Sequence, residues 1–135
     1  MSYSETDVFL ACFSVTSKTS LHNVREKWVP EIRQNSENSK TPIVLVGLKK
    51  DLRTDPKTIR MVKESGELMV EEKDGKDMAI LMNCATYCEC SAKTREGLDD
   101  VFVNAIAAVL DPERFTIGGK TEKAFKKKRR LCCIL

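Results

Sequence analysis

Glycine is scarce in this chain: six in 135 residues, at Gly47, Gly66, Gly75, Gly97, Gly118 and Gly119. No two of them stand five apart, so the pattern G-x-x-x-x-G-K-[ST] does not occur. That pattern supplies the backbone N–H groups and the lysine that cradle nucleotide phosphates. Gly119-Lys120-Thr121 looks like its end, but Arg114 holds the first-glycine position and a helix end, not a strand, precedes it. It reads as coincidence. Histidine is nearly absent, with His22 alone. The spacing Cys84-x3-Cys88-x-Cys90 fits neither a zinc ribbon nor a knuckle, and His22 is remote in sequence, so no metal site is expected. Buried, reduced thiols of a cytosolic protein are the plain reading of Cys12, Cys84, Cys88 and Cys90. Long apolar runs are missing too. The stretch Met78 to Cys90, broken only at Glu89, falls short of the roughly 18 residues a spanning helix needs. The start, MSYSETD, carries acids and no apolar segment, so no secretory signal is expected.

What is present is a soluble-domain composition, 41% hydrophobic and 32% charged, with a formal charge of +3. The positive excess is local. Lys120 to Arg130 holds seven basic residues against Glu122, a local +6. Subtracting that from the total leaves about −3 on the other 124 residues, so a general nucleic-acid binder is not indicated.

The hydrophobic pattern alternates between strand and helix. Val8 to Val15 is a continuous apolar run, the signature of a strand buried on both faces. Leu21, Val24, Trp28 and Ile32 then recur at helical spacing, with Pro30 expected to bend or weaken that helix. Thr41-Pro42 punctuates before a second strand, Ile43 to Gly47. Asp55-Pro56 is a strong helix start, carrying Ile59 and Val62 to a stop at Gly66. A further helix reads from about Glu71 to Met82, with Met78, Leu81 and Met82 on its apolar face. Tyr87 to Cys90 is a short third strand. The last helix presents Leu98, Val101, Phe102, Ala105, Ile106, Val109 and Leu110 before Asp111-Pro112 ends it. Beyond it, apolar periodicity stops, and 112–135 reads as a flexible tail.

This order implies an α/β domain with a parallel sheet, which places ligands at the carboxyl ends of its strands. Two polar segments fall there: Lys49 and Asp51 after the second strand, and Ser91-Ala92-Lys93 after the third. VGLKKDL alone reads first as a solvated turn. ECSAKT after a later strand turns the pair into a candidate base-reading corner.

The segments TDVFLACFSV, NVREKWVPEI, TPIVLVG, DLR, ECSAKT and GLDDVF together resemble a Rho/Rac-type small GTPase. The helix after Asp55-Pro56, about 56–65, falls where Rho-type proteins insert a helix that Ras-type proteins lack. The resemblance implies the C-terminal part of a P-loop small-GTPase fold: three layers, a parallel sheet of about three strands, and a G-domain portion over 1–111. It also implies that Met1 falls where the family's second switch ends. The phosphate loop, the switch threonine that holds magnesium and the glutamine that orients water then have no segment to occupy. The family's D-x-x-G is also missing from the 135 residues. By the resemblance, Asp51 accepts from guanine N1–H and the 2-amino group, a pair of donors that adenine does not offer. Lys49 lays its stem along the base, the Ala92 N–H meets O6, Ser91 shapes the loop and Lys93 flanks the base. Leu48 replaces a Thr or Asn that ties the family's base-reading loop to its neighbours, and lower base affinity is expected. GTP or GDP and magnesium are the implied cofactors, but phosphoryl transfer depends on positioning and charge that these residues do not supply. No catalytic residue is assigned, and GTP hydrolysis by the chain as written is not expected. An absent first strand is expected to leave the edge of the Val8–Val15 strand open to other chains.

Cys132-Cys133-Ile134-Leu135 is a C-a-a-X ending whose leucine favours geranylgeranylation of Cys132. Lys126, Lys127, Lys128, Arg129 and Arg130 just upstream supply the second, electrostatic signal that stable anchoring needs. The expected location is the cytoplasmic face of a membrane, the plasma membrane, with a cytosolic pool. The resemblance further implies exchange factors, activating proteins, effectors and a prenyl-binding dissociation inhibitor as partners. The competing reading is a nucleotide-free, membrane-tethered interaction fragment.

Overall fold

The computed structural model describes residues 6–35, 41–110 and 131–134. Four parallel strands form one sheet in the order β3-β2-β1-β4. They are β1 (Val8–Ser14), β2 (Ile43–Leu48), β3 (Thr86–Glu89) and β4 (Leu131–Ile134). Helices α1 (Lys18–Asn23), α2 (Val29–Asn35), α3 (Pro56–Glu64), α4 (Glu72–Leu81) and α5 (Leu98–Leu110) connect the first three strands and follow β3. The fold is therefore the expected α/β arrangement with a parallel sheet.

Both faces of β1 are buried, as its uninterrupted apolar run requires. Phe9, Ala11 and Phe13 point into a core shared with Leu21, Val24 and Ile32 of the α1–α2 region. Val8, Leu10 and Cys12 point the other way, into a core built with Val101, Ala105 and Ala108 of α5. Period-two alternation along the strand thus divides one apolar run between two layers.

Pro30 acts one turn before its own position. Between α1 and α2 the chain widens into a π-helical turn, Val24–Trp28, in which the Val29 N–H bonds to the Val24 carbonyl five residues back. Pro30 has no N–H for the usual bond, and its ring crowds the carbonyl four residues earlier. The wider turn accommodates both while the helix continues. Leu21, Val24, Val29 and Ile32 all remain buried.

The start of α3 is made as its sequence implies. The Asp55 carboxylate accepts from the Thr58 N–H at 3.0 Å and the Thr58 hydroxyl at 2.6 Å, with Pro56 in the first turn. Gly66 follows in the left-handed region at φ 77°. Two assigned core positions face outward instead. Leu81 is 62% exposed because the buried stripe of α4 runs through Gly75 and Ala79, one turn apart, and Leu81 stands off it. Phe102 is 48% exposed because α5 buries Val101, Ala105 and Ala108. Those two alanines bring the helix close to the sheet, and a phenylalanine belongs outside that stripe.

The larger difference lies at the sheet edge. The outer edge of β1, expected to be open, carries β4, and the end of the expected flexible tail is a strand. A continuous apolar strand presents unpaired N–H and C=O groups along its free edge, and Leu131-Cys132-Cys133-Ile134 is uncharged and apolar enough to meet them. The boundary drawn at 111, and the basic residues Lys126 to Arg130, lie outside the described residues. Among the described residues no helix is long and apolar enough to cross a membrane.

Candidate functional site

Two loops meet at the carboxyl ends of β2 and β3. The first leaves β2 at Lys49, which adopts the left-handed conformation at φ 62° and ψ 37°, and continues as a 3-10 turn, Lys50–Thr54. That conformation is uncommon for a side chain with a β-carbon, and such residues gather at sites that over-determine them. The second loop runs from Cys90 to Gly97. Main-chain bonds join the two: the Cys90 N–H donates to the Gly47 carbonyl at 2.9 Å and the Lys50 N–H to the Cys90 carbonyl at 3.2 Å.

Ser91 is the centre of the corner. Its side chain is fully buried, and its hydroxyl donates to Asp51 Oδ1 at 2.6 Å across 40 residues of sequence. The same oxygen accepts from the Thr94 N–H at 3.1 Å, while the Ser91 N–H donates to the Glu96 carbonyl at 2.9 Å. The hydroxyl and the N–H of the serine thus both have partners, as burial demands. Among the described residues, none takes Asp51 Oδ2. Lys49, Ala92 and Lys93 are exposed beside it. All five residues assigned from sequence, Lys49, Asp51, Ser91, Ala92 and Lys93, therefore belong to two loops that the structure joins. Lys50 adds a bridge to Glu96 at 3.0 Å on the outside of the corner.

Gly97 closes the second loop at φ 76°, and a β-carbon there would run into the Glu89 carbonyl. Only glycine satisfies both the conformation and the close approach.

Beneath the corner lies a cluster that motif reading missed. Arg53 forks onto Glu89 with Nη1 to Oε1 at 2.8 Å and Nη2 to Oε2 at 2.5 Å. Its Nε and Nη2 also donate to the Val70 carbonyl at 3.1 and 2.9 Å. The Tyr87 hydroxyl donates to Glu89 Oε2 at 2.5 Å. The Glu89 side chain is only 7% exposed. Burial by itself pushes its carboxyl up, but the hydrogen bonds from Arg53 and Tyr87 prevail and hold it below the usual carboxylate range. Burial, followed by the carboxylate of Glu89, pushes the Tyr87 phenol up. Tyr87 lies close against two glycines. A β-carbon at Gly47 would come within 2.6 Å of its hydroxyl, and one at Gly75 would overlap its ring. The available signal was the DLR segment together with a glutamate between two cysteines on a strand. Neither distinguishes a buried pair from a solvated one until the strands are paired.

The cysteines divide as the sheet does. Cys84 packs against the α1–α2 side, whereas Cys88 and Cys90 face α5. Burial pushes the Cys84 and Cys88 thiols up to about 11, the state of inert neutral thiols. Among the described residues no group of three or more His, Cys, Asp or Glu side chains could hold a metal ion. Leu48 also takes a structural part. Its side chain packs against the Val44–Val46 side of the core, and its carbonyl accepts from the Val15 N–H at 3.0 Å.

A parallel α/β sheet with two polar loops joined at the carboxyl ends of its strands defines a class of protein that binds its ligands at that end. The comparison with known families narrows that class: a model described as Ras family matches residues 1–111. The match spans most of the chain, which belongs to the Ras family of small GTP-binding proteins.

Membership implies GTP or GDP with magnesium, and the residues present fit those groups unequally. The corner fits a guanine base, with a fixed carboxylate, one lysine stem and an outward-facing main-chain segment. The 135 residues contain no G-x-x-x-x-G-K-[ST] for the phosphates. No step of phosphate chemistry is derived for them.

Proposed function

We propose that this chain is a Rho-type member of its family that recognises guanine through Lys49, Asp51 and the Ala92 N–H. The observation that carries this reading is the 2.6 Å bond from buried Ser91 to Asp51, which fixes a carboxylate where two loops converge. A fixed carboxylate discriminates because guanine supplies two donors to it, whereas adenine leaves it unpaired. Helix α3, between β2 and α4, supports the Rho subtype.

Geranylgeranylation of Cys132, together with Lys126, Lys127, Lys128, Arg129 and Arg130, places the protein on the anionic, cytoplasmic face of a membrane, with a cytosolic pool. Exchange factors, activating proteins, effectors and a dissociation inhibitor are the partners that go with this reading.

The polypeptide of these 135 residues reads guanine without gripping its phosphates and does not turn over GTP. Leu48 lowers base affinity further, since an apolar side chain packed against the core cannot bond to the neighbouring loop. Calorimetry with GDP and magnesium on the purified chain tests this. The expected result is no dissociation constant at or below the micromolar range, and tight binding or phosphate release overturns it.

One observation favours the second reading, a nucleotide-free interaction fragment. Ile59 on α3 and Leu68 just beyond it are both exposed and line one groove. If the chain is such a fragment, replacing Asp51 with asparagine leaves its cellular distribution and partners unchanged.

A further inference from the structure

We propose that the outer edge of β1 is a strand-acceptor site for the chain's own residues Leu131–Ile134, so that completing the sheet and lipidating Cys132 compete for one segment. The lipidation half rests on the reading of Cys132 given above; the strand pairing does not.

The direction of the β1 backbone locates the site. The Phe9 N–H donates to the Pro42 carbonyl at 3.0 Å and the Val15 N–H to the Leu48 carbonyl at 3.0 Å, both toward β2. Successive peptide groups alternate along a strand, so Val8, Leu10 and Cys12 direct theirs to the opposite edge. The side chains of β1 are buried on both faces, so water reaches these groups only from that edge. Unpaired, they would be a template for any extended chain. The structure pairs Val8 with Leu131, Phe9 with Cys132, Leu10 with Cys133 and Ala11 with Ile134, all in parallel.

The segment suits the place in composition and in reach. Leu131-Cys132-Cys133-Ile134 contains no charge, proline or glycine, as a strand continuing this sheet requires. The 20 residues between Leu110 and Leu131 exceed the dozen or so that a parallel crossover needs.

Prenyl transfer uses the same atoms differently. Cys132 Sγ bonds to C1 of geranylgeranyl diphosphate, the C1–O bond breaks, diphosphate departs and the thiol proton goes to solvent. A transferase has to take Cys132 to Leu135 as a free extended peptide. While Cys132 to Ile134 are paired with β1, their backbone groups are engaged. Lipid addition therefore proceeds from the fraction of molecules whose tail has left the sheet, and the apparent rate falls by that fraction.

The test measures geranylgeranyl incorporation into the full chain, into a peptide of residues 126–135, and into the full-length Val8→Cys/Leu131→Cys variant, oxidised and reduced. Both substitutions lie outside Cys132 to Leu135. We expect the full chain to be labelled about tenfold or more slowly than the peptide, which corresponds to a tail free in about one molecule in ten or fewer. The oxidised variant should resist labelling and recover on reduction, and hydrogen exchange should show 131–134 protected in the full chain. Equal rates for chain and peptide, or exchange of 131–134 at the rate of the free peptide, overturn the proposal. If the peptide itself is not labelled, the lipidation reading fails, and exchange alone decides the pairing.

Discussion

The two outer strands of the sheet are held in opposite ways. β3 has four residues, pairs among the described residues with β2 alone, and is pinned by polar groups: Glu89 takes both Arg53 and Tyr87. β4 also has four residues, but it arrives from a segment separated from α5 by 20 residues and meets β1 through apolar sequence. One edge is fixed by a few directional contacts that leave little freedom. The other is fixed by strand pairing, which any compatible segment could satisfy. The corner proposed to read a base lies at the end of the first kind of edge, where Ser91 just past β3 holds the Asp51 carboxylate.

If that contrast is correct, the largest effect comes from breaking the polar pin. Arg53→Met should cost about 3 kcal/mol of unfolding free energy in urea, because it strands a nearly buried carboxylate. Adding Glu89→Gln should recover part of the loss. A cost below about 1 kcal/mol would mean that the pin is no more than a surface ion pair.

Acid should sharpen the same point. Glu89 has its folded pKa below its unfolded value, so the stability it contributes is present above the unfolded value, near pH 4.3, and is lost as pH falls through the lower folded value. Urea midpoints measured downward from neutral pH should fall across that window. In Glu89→Gln the decline should be shallower. An unchanged slope would remove Glu89 from the account.

The smallest effect concerns the helix that follows the pin. Asp55→Ala removes the N-cap of α3 and should lower the urea midpoint only slightly, with faster amide exchange at Thr58. Exchange on β3 and β4 should not change, which separates local fraying from either edge.

Much of the proposed base-reading corner could be read from the chain because its parts are short and local. ECSAKT and VGLKKDL each sit just past an apolar strand, and parallel sheets bring such ends together. The Asp55 cap and Pro30 also act within one turn of themselves, and both effects appear in the structure. What escaped were relations set by packing angle or by distance along the chain. Leu81 and Phe102 are apolar and near the buried stripes of their helices, yet Gly75, Ala79, Ala105 and Ala108 decide which side meets the sheet. Arg53 and Glu89 look like surface charges until the strands stack above them.

The sequence by itself determined the alternation of strands and helices, the position of the polar corner and the shortage of phosphate-holding glycines, since each follows from local period or spacing. Only the tertiary structure decided which segment lies against the outer side of β1 and which carboxylate is buried. Those outcomes depend on free-energy differences between distant partners, and no local pattern encodes a choice that is made only when the strands pair.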